Sequence, residues 1–330
     1  MHTLFVKYWS KTNYSKVDID AHNYPESFWN TLSTLTGESI ARLYMMRLNQ
    51  YEGYIDEDVS HNGKCNWIVP GGHRDKVKNK FYNLRYCPEC LREATYFKLE
   101  WRLLYITICT KHKIYLNVDC PQCHQNIKLK HVNVFQNIDQ CNCNYYLREA
   151  PKKKVKQKDL KTLNKLNNIA TQGYIIINGK EEHSIGFFFI YRIITSKILK
   201  LRKSKISHLE ELTPIELASL LTQAIDIFDN WPNNLIHFCK ENKLSNKNKL
   251  LDGNRNSKDV PFWFIEGIEP IMKGSYRKSE EEVDFMFKYL YKDRKPTLHE
   301  IQEVSGWNLS YGSEMRVKWL KKCSNEDPRD

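Results

Sequence analysis

The segment that decides the fold reads CPECLREATYFKLEWRLLYITICTKHKIYLNVDCPQC over residues 87–123 and is followed by CNC at residues 141–143. Cysteine and histidine recur in it as pairs, and two residues separate the partners in the first three pairs. That spacing lets a tight turn aim both side chains at one ion, while N–H groups of the turn hydrogen-bond the thiolates. The eight candidate ligands are Cys87, Cys90, Cys109, His112, Cys120, Cys123, Cys141 and Cys143.

These ligands predict two structural zinc ions, because four soft ligands complete one tetrahedral Zn²⁺ and leave no position for a catalytic water. Pairing in chain order places the ligands from Cys87 to His112 in one site and those from Cys120 to Cys143 in the other. A cross-braced pairing is an open alternative. If these were ordinary core cysteines, seven of the ten cysteines in the chain would fall at ligand spacing by coincidence.

The chain as a whole is basic. Lys and Arg number 51 against 39 Asp and Glu, which gives a net charge of +12, and 41% of the residues are hydrophobic. Such a composition indicates a folded protein that attracts polyanions, of which nucleic acid is the commonest. An AT-rich coding sequence, which inflates Lys and Asn, is the alternative explanation of the charge.

The lack of a signal core and of a membrane-spanning run bears on where the protein is located. The apolar run at the start of the chain is too short for a signal core, and none approaches the roughly 20 residues that span a bilayer. We therefore expect a cytoplasmic protein with no membrane segment. Thiols stay reduced there, so paired cysteines indicate metal binding rather than disulfides.

Residues 1–80 are predicted to form a helical domain with a helix-turn-helix. A helix begins near Pro25, since proline and acidic residues favour a first turn, and Gly37 is placed to end it. A second periodic stretch starts at Glu38, whereas residues 51–80 are predicted as loop. The apolar face of the first helix comprises Phe28, Leu32 and Leu35.

The metal-binding module is expected over residues 81–150, a basic linker over 151–165 and a helical C-terminal domain over 166–330. Capping boxes mark three helix starts in that last domain. They are Thr213 with Glu216, Ser279 with Glu282, and Thr297 with Glu300. The last one opens a second candidate helix-turn-helix over residues 297–322, in which the second helix is basic.

Direct contact with nucleic acid would use two groups of basic residues. Lysines can neutralise phosphates in a salt-sensitive manner, and base reading would need a helix in the major groove. The candidates are Lys152, Lys153, Lys154, Lys156, Arg316 and Lys318. A solvated linker and a solvated helix face are the alternative interpretations of these residues.

The cysteine segment carries a resemblance to a known family. A Cys-Pro-x-Cys pair, a Trp, a Cys-x-x-His pair, a Leu and a second Cys-Pro-x-Cys follow one another in the TniQ/TnsD family of transposition targeting proteins. The matching residues here are Tyr86 to Leu91, Tyr96, Trp101, Cys109 to His112, Leu116 and Cys120 to Cys123. The Pro-Glu-Ser-Phe at residues 25–28, followed by a short helix, resembles the opening of the family's N-terminal helix-turn-helix. Trp231-Pro232 resembles the Trp-Pro that follows a helix in the family's C-terminal half. The single residue between Cys141 and Cys143 departs from the family's second site.

The resemblance implies a protein that links a target selector to a transposon's AAA+ ATPase. TnsD-type members recognise an attachment site on DNA themselves. Shorter TniQ members of CRISPR-associated transposons dock, often as dimers, on an RNA-guided effector complex. The chain has less C-terminal sequence than a site-reading TnsD, which favours the adaptor role with the effector, the ATPase and a second copy as partners.

Enzymatic activity has no comparable support. Gly71-Gly72-His73 lacks the spacing and the Lys of a phosphate loop, and a zinc hydrolase would need an open coordination position. Three hypotheses follow: a targeting adaptor, which we favour, a self-sufficient sequence-specific DNA binder, and a nucleic-acid enzyme. The expected fold is mainly α with a small α+β zinc-ribbon module between helical domains.

Overall fold

The computed structural model describes residues 25–57, 67–69, 84–127, 137–202, 206, 208–244, 250–251, 260–271, 279–290, 296–305 and 309–325. Within these ranges it consists of helices and two small antiparallel sheets of two strands each. The mainly α fold with a small α+β module is thereby confirmed. The chain divides into two compact units, Met1–Asp226 and Ile227–Asp330. The finer division predicted from the sequence stays a prediction.

The first unit opens with the two predicted N-terminal helices, α1 (Glu26–Thr36) and α2 (Ile40–Met45). Gly37 ends α1 because it adopts a left-handed conformation with φ 73°, from which its N–H donates to the Ser33 carbonyl at 2.8 Å. Such a conformation is unstrained for glycine. The core between the helices comprises Phe28, Trp29 and Leu43. Leu35, predicted on the buried face, is 54% exposed.

A cysteine-bearing ribbon follows. It contains α3 (Pro88–Glu93) and two short strands, β1 (Ile108–Cys109) and β2 (Ile114–Tyr115), which pair antiparallel. Tyr86 and Asn117 exchange backbone hydrogen bonds of 2.8 and 2.9 Å and so tie the entry of α3 to the chain after β2. The backbone at Lys153 lies on the other side of β2, where its carbonyl accepts the Tyr115 N–H at 3.0 Å.

The rest of the first unit is helical apart from one hairpin. Its elements are α4 (Gln157–Gln172), β3 (Tyr174–Ile177), β4 (Lys180–His183), α5 (Ser184–Leu201) and α6 (Pro214–Asp226). The core centres on α5, where Phe187, Phe188 and Tyr191 are fully buried. Trp67 reaches this core from a predicted loop, stacks on Tyr191 with 5.6 Å between ring centroids, and donates its indole N–H to the Phe188 carbonyl at 2.9 Å.

Two features of this region differ from the sequence prediction. Residues 151–165, predicted as a linker, include the first two turns of α4, and the hairpin of β3 and β4 interrupts a region predicted as helical. The hairpin has a local signal in Asn178-Gly179, because both residues take positive φ at its turn. An Asn-Gly pair directly after a run of isoleucines favours such a turn.

In the second unit the rings of Phe228, Trp231 and Trp263 form a cluster. Trp231 precedes α7 (Asn233–Glu241), and Trp263 lies in α8 (Phe262–Ile268). A methyl group at Gly267 would lie 2.5 Å from the Trp231 ring, so this position of α8 requires glycine. Three further helices, α9 (Glu280–Leu290), α10 (Leu298–Ser305) and α11 (Leu309–Asn325), share a separate core. That core comprises Val283, Phe287, Ile301 and Trp319.

All three predicted capping boxes form. The Thr213 hydroxyl accepts the Glu216 N–H at 3.3 Å, while the Glu216 carboxylate accepts the Thr213 N–H at 2.9 Å. The pairs at Ser279 and Thr297 repeat this arrangement. Helices α10 and α11 fall where the second helix-turn-helix was predicted, and residues 306–308 between them lie outside the described part. Among the described residues, no helix combines the length and apolar character that crossing a membrane would require.

Candidate metal centre

The structure gathers the eight predicted ligands into two groups of four. Their Sγ and ring nitrogen atoms lie within 4.8 Å of one another in each group. The grouping follows chain order rather than the cross-braced alternative. The first site comprises Cys87, Cys90, Cys109 and His112, and the second comprises Cys120, Cys123, Cys141 and Cys143.

The first site lies between a helix and a hairpin. Cys87 precedes α3 and Cys90 lies in its first turn, because Pro88 at the first helical position starts the helix between them. Cys109 ends β1, and His112 lies in the turn that leads to β2. Lys113 closes that turn with a φ of 51°, so the chain can reverse immediately after the histidine.

The interatomic distances of this site suit a tetrahedral ion. His112 Nδ1 lies 3.4, 3.3 and 3.6 Å from the Sγ atoms of Cys87, Cys90 and Cys109. Cys90 and Cys109 are 3.6 Å apart at sulfur. Zinc bonds of about 2.0–2.3 Å at tetrahedral angles put ligand atoms about 3.6–3.8 Å apart. A small expansion of the cage therefore suffices to accept the ion.

Backbone amides and neighbouring thiols prepare this site for a cation. The N–H groups of Cys90 and His112 donate to the sulfurs of Cys87 and Cys109, respectively. The Cys87 thiol also donates to Cys109, which lowers the pKa of Cys109 to about 4 and raises that of Cys87. These hydrogen bonds favour the thiolate of Cys109, and a metal ion would displace protons from the other thiols.

The second site is built from two tight turns. Cys120 and Cys123 lie in the first turn. His124 follows it with a φ of 55°, and its N–H donates to the Cys120 carbonyl at 2.8 Å. Cys141 and Cys143 flank the other. The sulfur of Cys120 lies 3.6 Å from that of Cys143, and Cys123 lies 3.5 Å from Cys141. The shorter spacing of the last pair therefore still permits a compact four-sulfur cage.

Burial and backbone amides act in opposite directions in the second site. Burial raises the pKa of Cys141 to about 12. For Cys143 burial also opposes ionisation, but the Tyr145 N–H and the neighbouring thiols lower its pKa. The Cys120 sulfur accepts the N–H groups of Gln122 and Cys123. Each turn thus supplies donors that stabilise thiolate charge.

Three side chains near the ribbon make contacts that were not predicted. Arg85 is buried and donates through Nη1 to the Leu104 and Ile106 carbonyls at 2.6 and 2.9 Å, which orders the chain before β1. Asp159 accepts from the Tyr115 hydroxyl at 2.5 Å. Glu93 accepts from His112. Only Glu93 had a sequence signal, because it stands one helical turn after Cys90.

The predicted nucleic-acid residues fall in both units. In the first unit Lys152, Lys153, Lys154 and Lys156 are exposed. Lys152 forms an ion pair with Glu89 of α3 at 2.7 Å. In the second unit Arg316 donates Nε to the Pro296 carbonyl at 2.8 Å, and Lys318 pairs with Glu314 at 3.1 Å. Arg316 thus supports the chain before α10, and Lys318 is exposed on α11.

Comparison with protein families identifies one region of the chain. Residues 3–116 match the TniQ family model, and this span includes the N-terminal helices and the four ligands of the first site. No curated protein matches the chain. The proteins of this family are non-catalytic factors that act in transposition complexes. Residues 3–116 of the chain are therefore similar to the TniQ domain, which is found in proteins of transposition target selection.

Proposed function

We propose that this protein is a target-selection adaptor without catalytic activity of its own. It links a target-recognition complex, or target DNA, to the AAA+ ATPase of its transposon. The match of residues 3–116 to the TniQ family carries this proposal. The N-terminal helices and the four ligands of the first metal site, which carry much of the resemblance, lie within that span.

We further propose that both cysteine groups hold structural Zn²⁺. The donor sets are three sulfurs with one imidazole nitrogen and four sulfurs, which are typical of closed zinc sites. Zinc would hold the two turns of the second site and join α3 to the β1–β2 hairpin in the first. A closed thiolate cage has no open coordination position for substrate, so the metal would act through the fold.

The proposal is tested by zinc content and partner capture. Protein purified without chelator should contain about two zinc ions per chain, one for each group. Full-length protein should capture the AAA+ ATPase and the RNA-guided effector encoded with the same transposon. Cys87→Ser should reduce zinc to about one ion per chain and abolish capture. Cys239→Ala is the matched control, because Cys239 is a buried thiol outside both groups.

Absence of zinc from the wild-type protein would overturn the metal assignment. Capture by the zinc-free protein as strong as by the wild type would overturn the link between the ribbon and the adaptor role. Cleavage of DNA or RNA that is lost on substitution of carboxylates, and not of cysteines, would overturn the non-catalytic assignment.

Direct DNA binding is the second candidate function. Helices α9 to α11 pack around one core, and a Cβ at Gly312 of α11 would lie 3.3 Å from the Ile301 side chain of α10. This close crossing leaves an outer face of α11 with the exposed residues Val317, Lys318 and Lys321. A helix that presents basic and small apolar side chains in this way fits a major groove.

Footprinting on naked DNA from an insertion site separates the two candidates. A protected sequence that Lys318→Ala weakens, while Lys288→Ala on α9 does not, would favour direct site recognition. Lys318→Ala should also reduce the salt dependence of affinity by about one ion per substitution. The adaptor proposal expects no sequence-specific footprint in the absence of partners.

A further inference from the structure

We propose that Glu93 is a positioning residue of the first metal site, whose carboxylate holds the His112 ring so that Nδ1 faces the metal. This inference rests on the proposed zinc at that site. It concerns a residue that contacts no metal position itself and that the ligand spacing does not reveal.

The two nitrogens of the His112 ring have separate roles. Nδ1 faces the three sulfurs at 3.3–3.6 Å, whereas Nε2 donates its hydrogen to Glu93 Oε1 at 3.1 Å. A neutral imidazole carries one hydrogen, so the bond to Glu93 fixes the tautomer in which Nδ1 has the free lone pair. Metal-bound histidines commonly donate their second ring hydrogen to a carboxylate, which also makes the ligand nitrogen more basic.

The position of Glu93 in α3 brings its carboxylate close to His112. Glu93 is the last residue of α3, one turn after the ligand Cys90. The Ala94 N–H still donates to the Cys90 carbonyl at 2.9 Å, which keeps this turn closed. One short helix therefore supplies a ligand at its start and the orienting carboxylate at its end.

The two carboxylate oxygens are also divided between two donors. Oε2 accepts from Lys111 Nζ at 2.5 Å, and Oε1 is left for His112. Lys111 directly precedes the histidine, so the hairpin turn contributes both donors. The lysine thereby fixes the rotation of the carboxylate that the histidine meets.

The competing explanation is a surface ion pair between Glu93 and Lys111 that meets His112 by proximity. The Glu93 side chain is 46% exposed and that of His112 is 18% exposed. Exposed ion pairs contribute about 0–1 kcal/mol to stability, and such a pair would leave the metal unaffected. The two explanations differ in what happens to zinc at the first site alone.

The test uses the full-length, zinc-loaded protein with Glu93→Ala, Glu93→Gln and the control Glu89→Ala. Glu89 lies on the same helix and pairs with Arg92 and Lys152 rather than with the histidine. Zinc loss to a colorimetric chelator is followed for each variant, and ¹¹³Cd substitution gives one resonance per site. The second site serves as an internal reference, because it contains no histidine.

Glu93→Ala should accelerate metal loss from the first site by about tenfold, at the lower end of the 10–100-fold range for such partners because the contact is half-exposed. Glu93→Gln retains an acceptor oxygen and should fall between the wild type and Glu93→Ala. Long-range ¹H–¹⁵N spectra should show His112 protonated at Nε2 in the wild type, with faster exchange of that proton in Glu93→Ala. The second site and Glu89→Ala should match the wild type.

Equal metal loss from Glu93→Ala and the wild type, in a protein that holds two ions, would overturn this inference and leave the proposed function intact. An equal effect of Glu89→Ala, or equal acceleration at both sites, would show a general loss of structure and would also overturn it. A wild-type protein that binds no zinc would overturn this inference together with the metal assignment.

Discussion

The two candidate metal sites lie in one ribbon, but the rest of the protein holds them differently. Cys87 and Cys109 of the first site are 0% and 1% exposed, and their neighbours belong to α3 and to the β1–β2 hairpin. At the second site Cys120 and Cys141 are buried, whereas Cys123 and Cys143 are partly exposed, and the ligands lie in turns. The match to the TniQ family ends at residue 116, before the first ligand of the second site.

This difference indicates which forces position the ligands. At the first site apolar packing, a helix start and strand pairing already bring the sulfurs together, so a metal ion adds to a structure that other contacts favour. At the second site the turns bury little apolar surface, so the metal must supply most of the order. Two sites of similar composition should therefore fail in different ways.

Removal of both metals should produce the largest difference between the two sites, measured as protection from hydrogen exchange. With excess chelator, amides in the turns of residues 119–126 and 140–146 should lose about a thousandfold of their protection, because opening there exposes little apolar surface. Amides of the first site, in α3 and the β1–β2 hairpin, should change by less than about tenfold. Hydrogen exchange read by mass spectrometry measures both. Equal loss of protection at the two sites would contradict the comparison.

Single ligand substitutions should show the same contrast one site at a time. Cys109→Ser places a hydroxyl among buried groups and removes one metal, so the free energy of unfolding of the first unit should fall by about 3–5 kcal/mol. Cys143→Ser should leave the main thermal transition within about 1–2 kcal/mol of the wild type, since its surroundings are half-exposed. Thermal unfolding measures the first effect.

The control for this pair is limited proteolysis. Cys143→Ser should open new cleavage sites within residues 137–146 while the helices stay resistant. A main transition that Cys143→Ser lowers as much as Cys109→Ser would show that the second site is as closely integrated as the first.

The sequence alone predicted the eight side chains that the structure gathers into two groups, and it predicted several helix ends. Cysteine spacing selects the ligands because turn geometry is local, and the capping boxes at Thr213, Ser279 and Thr297 form because each involves a few neighbouring residues. Gly37 ends α1 for the same reason.

The sequence did not predict contacts between residues that are far apart along the chain. Trp67 lies in a segment predicted as loop, yet it packs on Tyr191, and nothing in its local pattern indicates that partner. Asp159 lies in a segment predicted as linker, where a single acidic residue among lysines favours a solvated position. Its partners Tyr115 and Thr222 come from distant parts of the chain. Tertiary packing determines the partners of such residues, and the local sequence pattern does not indicate them.

Tyr115 connects the hairpin of the first site to α4, so a substitution there tests how much packing contributes to holding the first site. Its hydroxyl donates to Asp159 at 2.5 Å, and Thr222 donates to the other oxygen of that carboxylate at 2.9 Å. Tyr115→Phe leaves a buried carboxylate with one donor fewer, so the free energy of unfolding should fall by about 1–3 kcal/mol. Denaturant unfolding at pH 7 measures it. Tyr145→Phe beside the second site is the control and should change it by less than about 0.5 kcal/mol.

The same variant predicts a pH dependence. Burial, followed by the hydrogen bond to Asp159, raises the pKa of Tyr115 to about 12. A tyrosine whose pKa is raised on folding stabilises the protein below its unfolded pKa of about 10, and that contribution disappears as the pH rises towards 12. The stability difference between the wild type and Tyr115→Phe should therefore be constant from pH 7 to 9 and shrink above pH 10. A difference that grows above pH 10 would contradict the assigned bond.

The smallest effect concerns the residues that close the ligand turns. Lys113 after the first site and His124 after the second have φ of 51° and 55°, a left-handed conformation that suits glycine better. Relief of this strain, offset by the greater freedom of glycine in the unfolded chain, should stabilise each turn by about 0.5–1 kcal/mol.

His124→Gly should slow zinc loss from the second site about twofold to fivefold, because there the turn itself holds the ligands. Lys113→Gly should change zinc loss from the first site less, since packing already fixes that turn. Asn144→Gly is the control, because asparagine tolerates its φ of 69°. Chelator competition on the three variants measures the order, and a larger effect at Lys113 than at His124 would mean that turn geometry, rather than packing, positions the ligands of the first site.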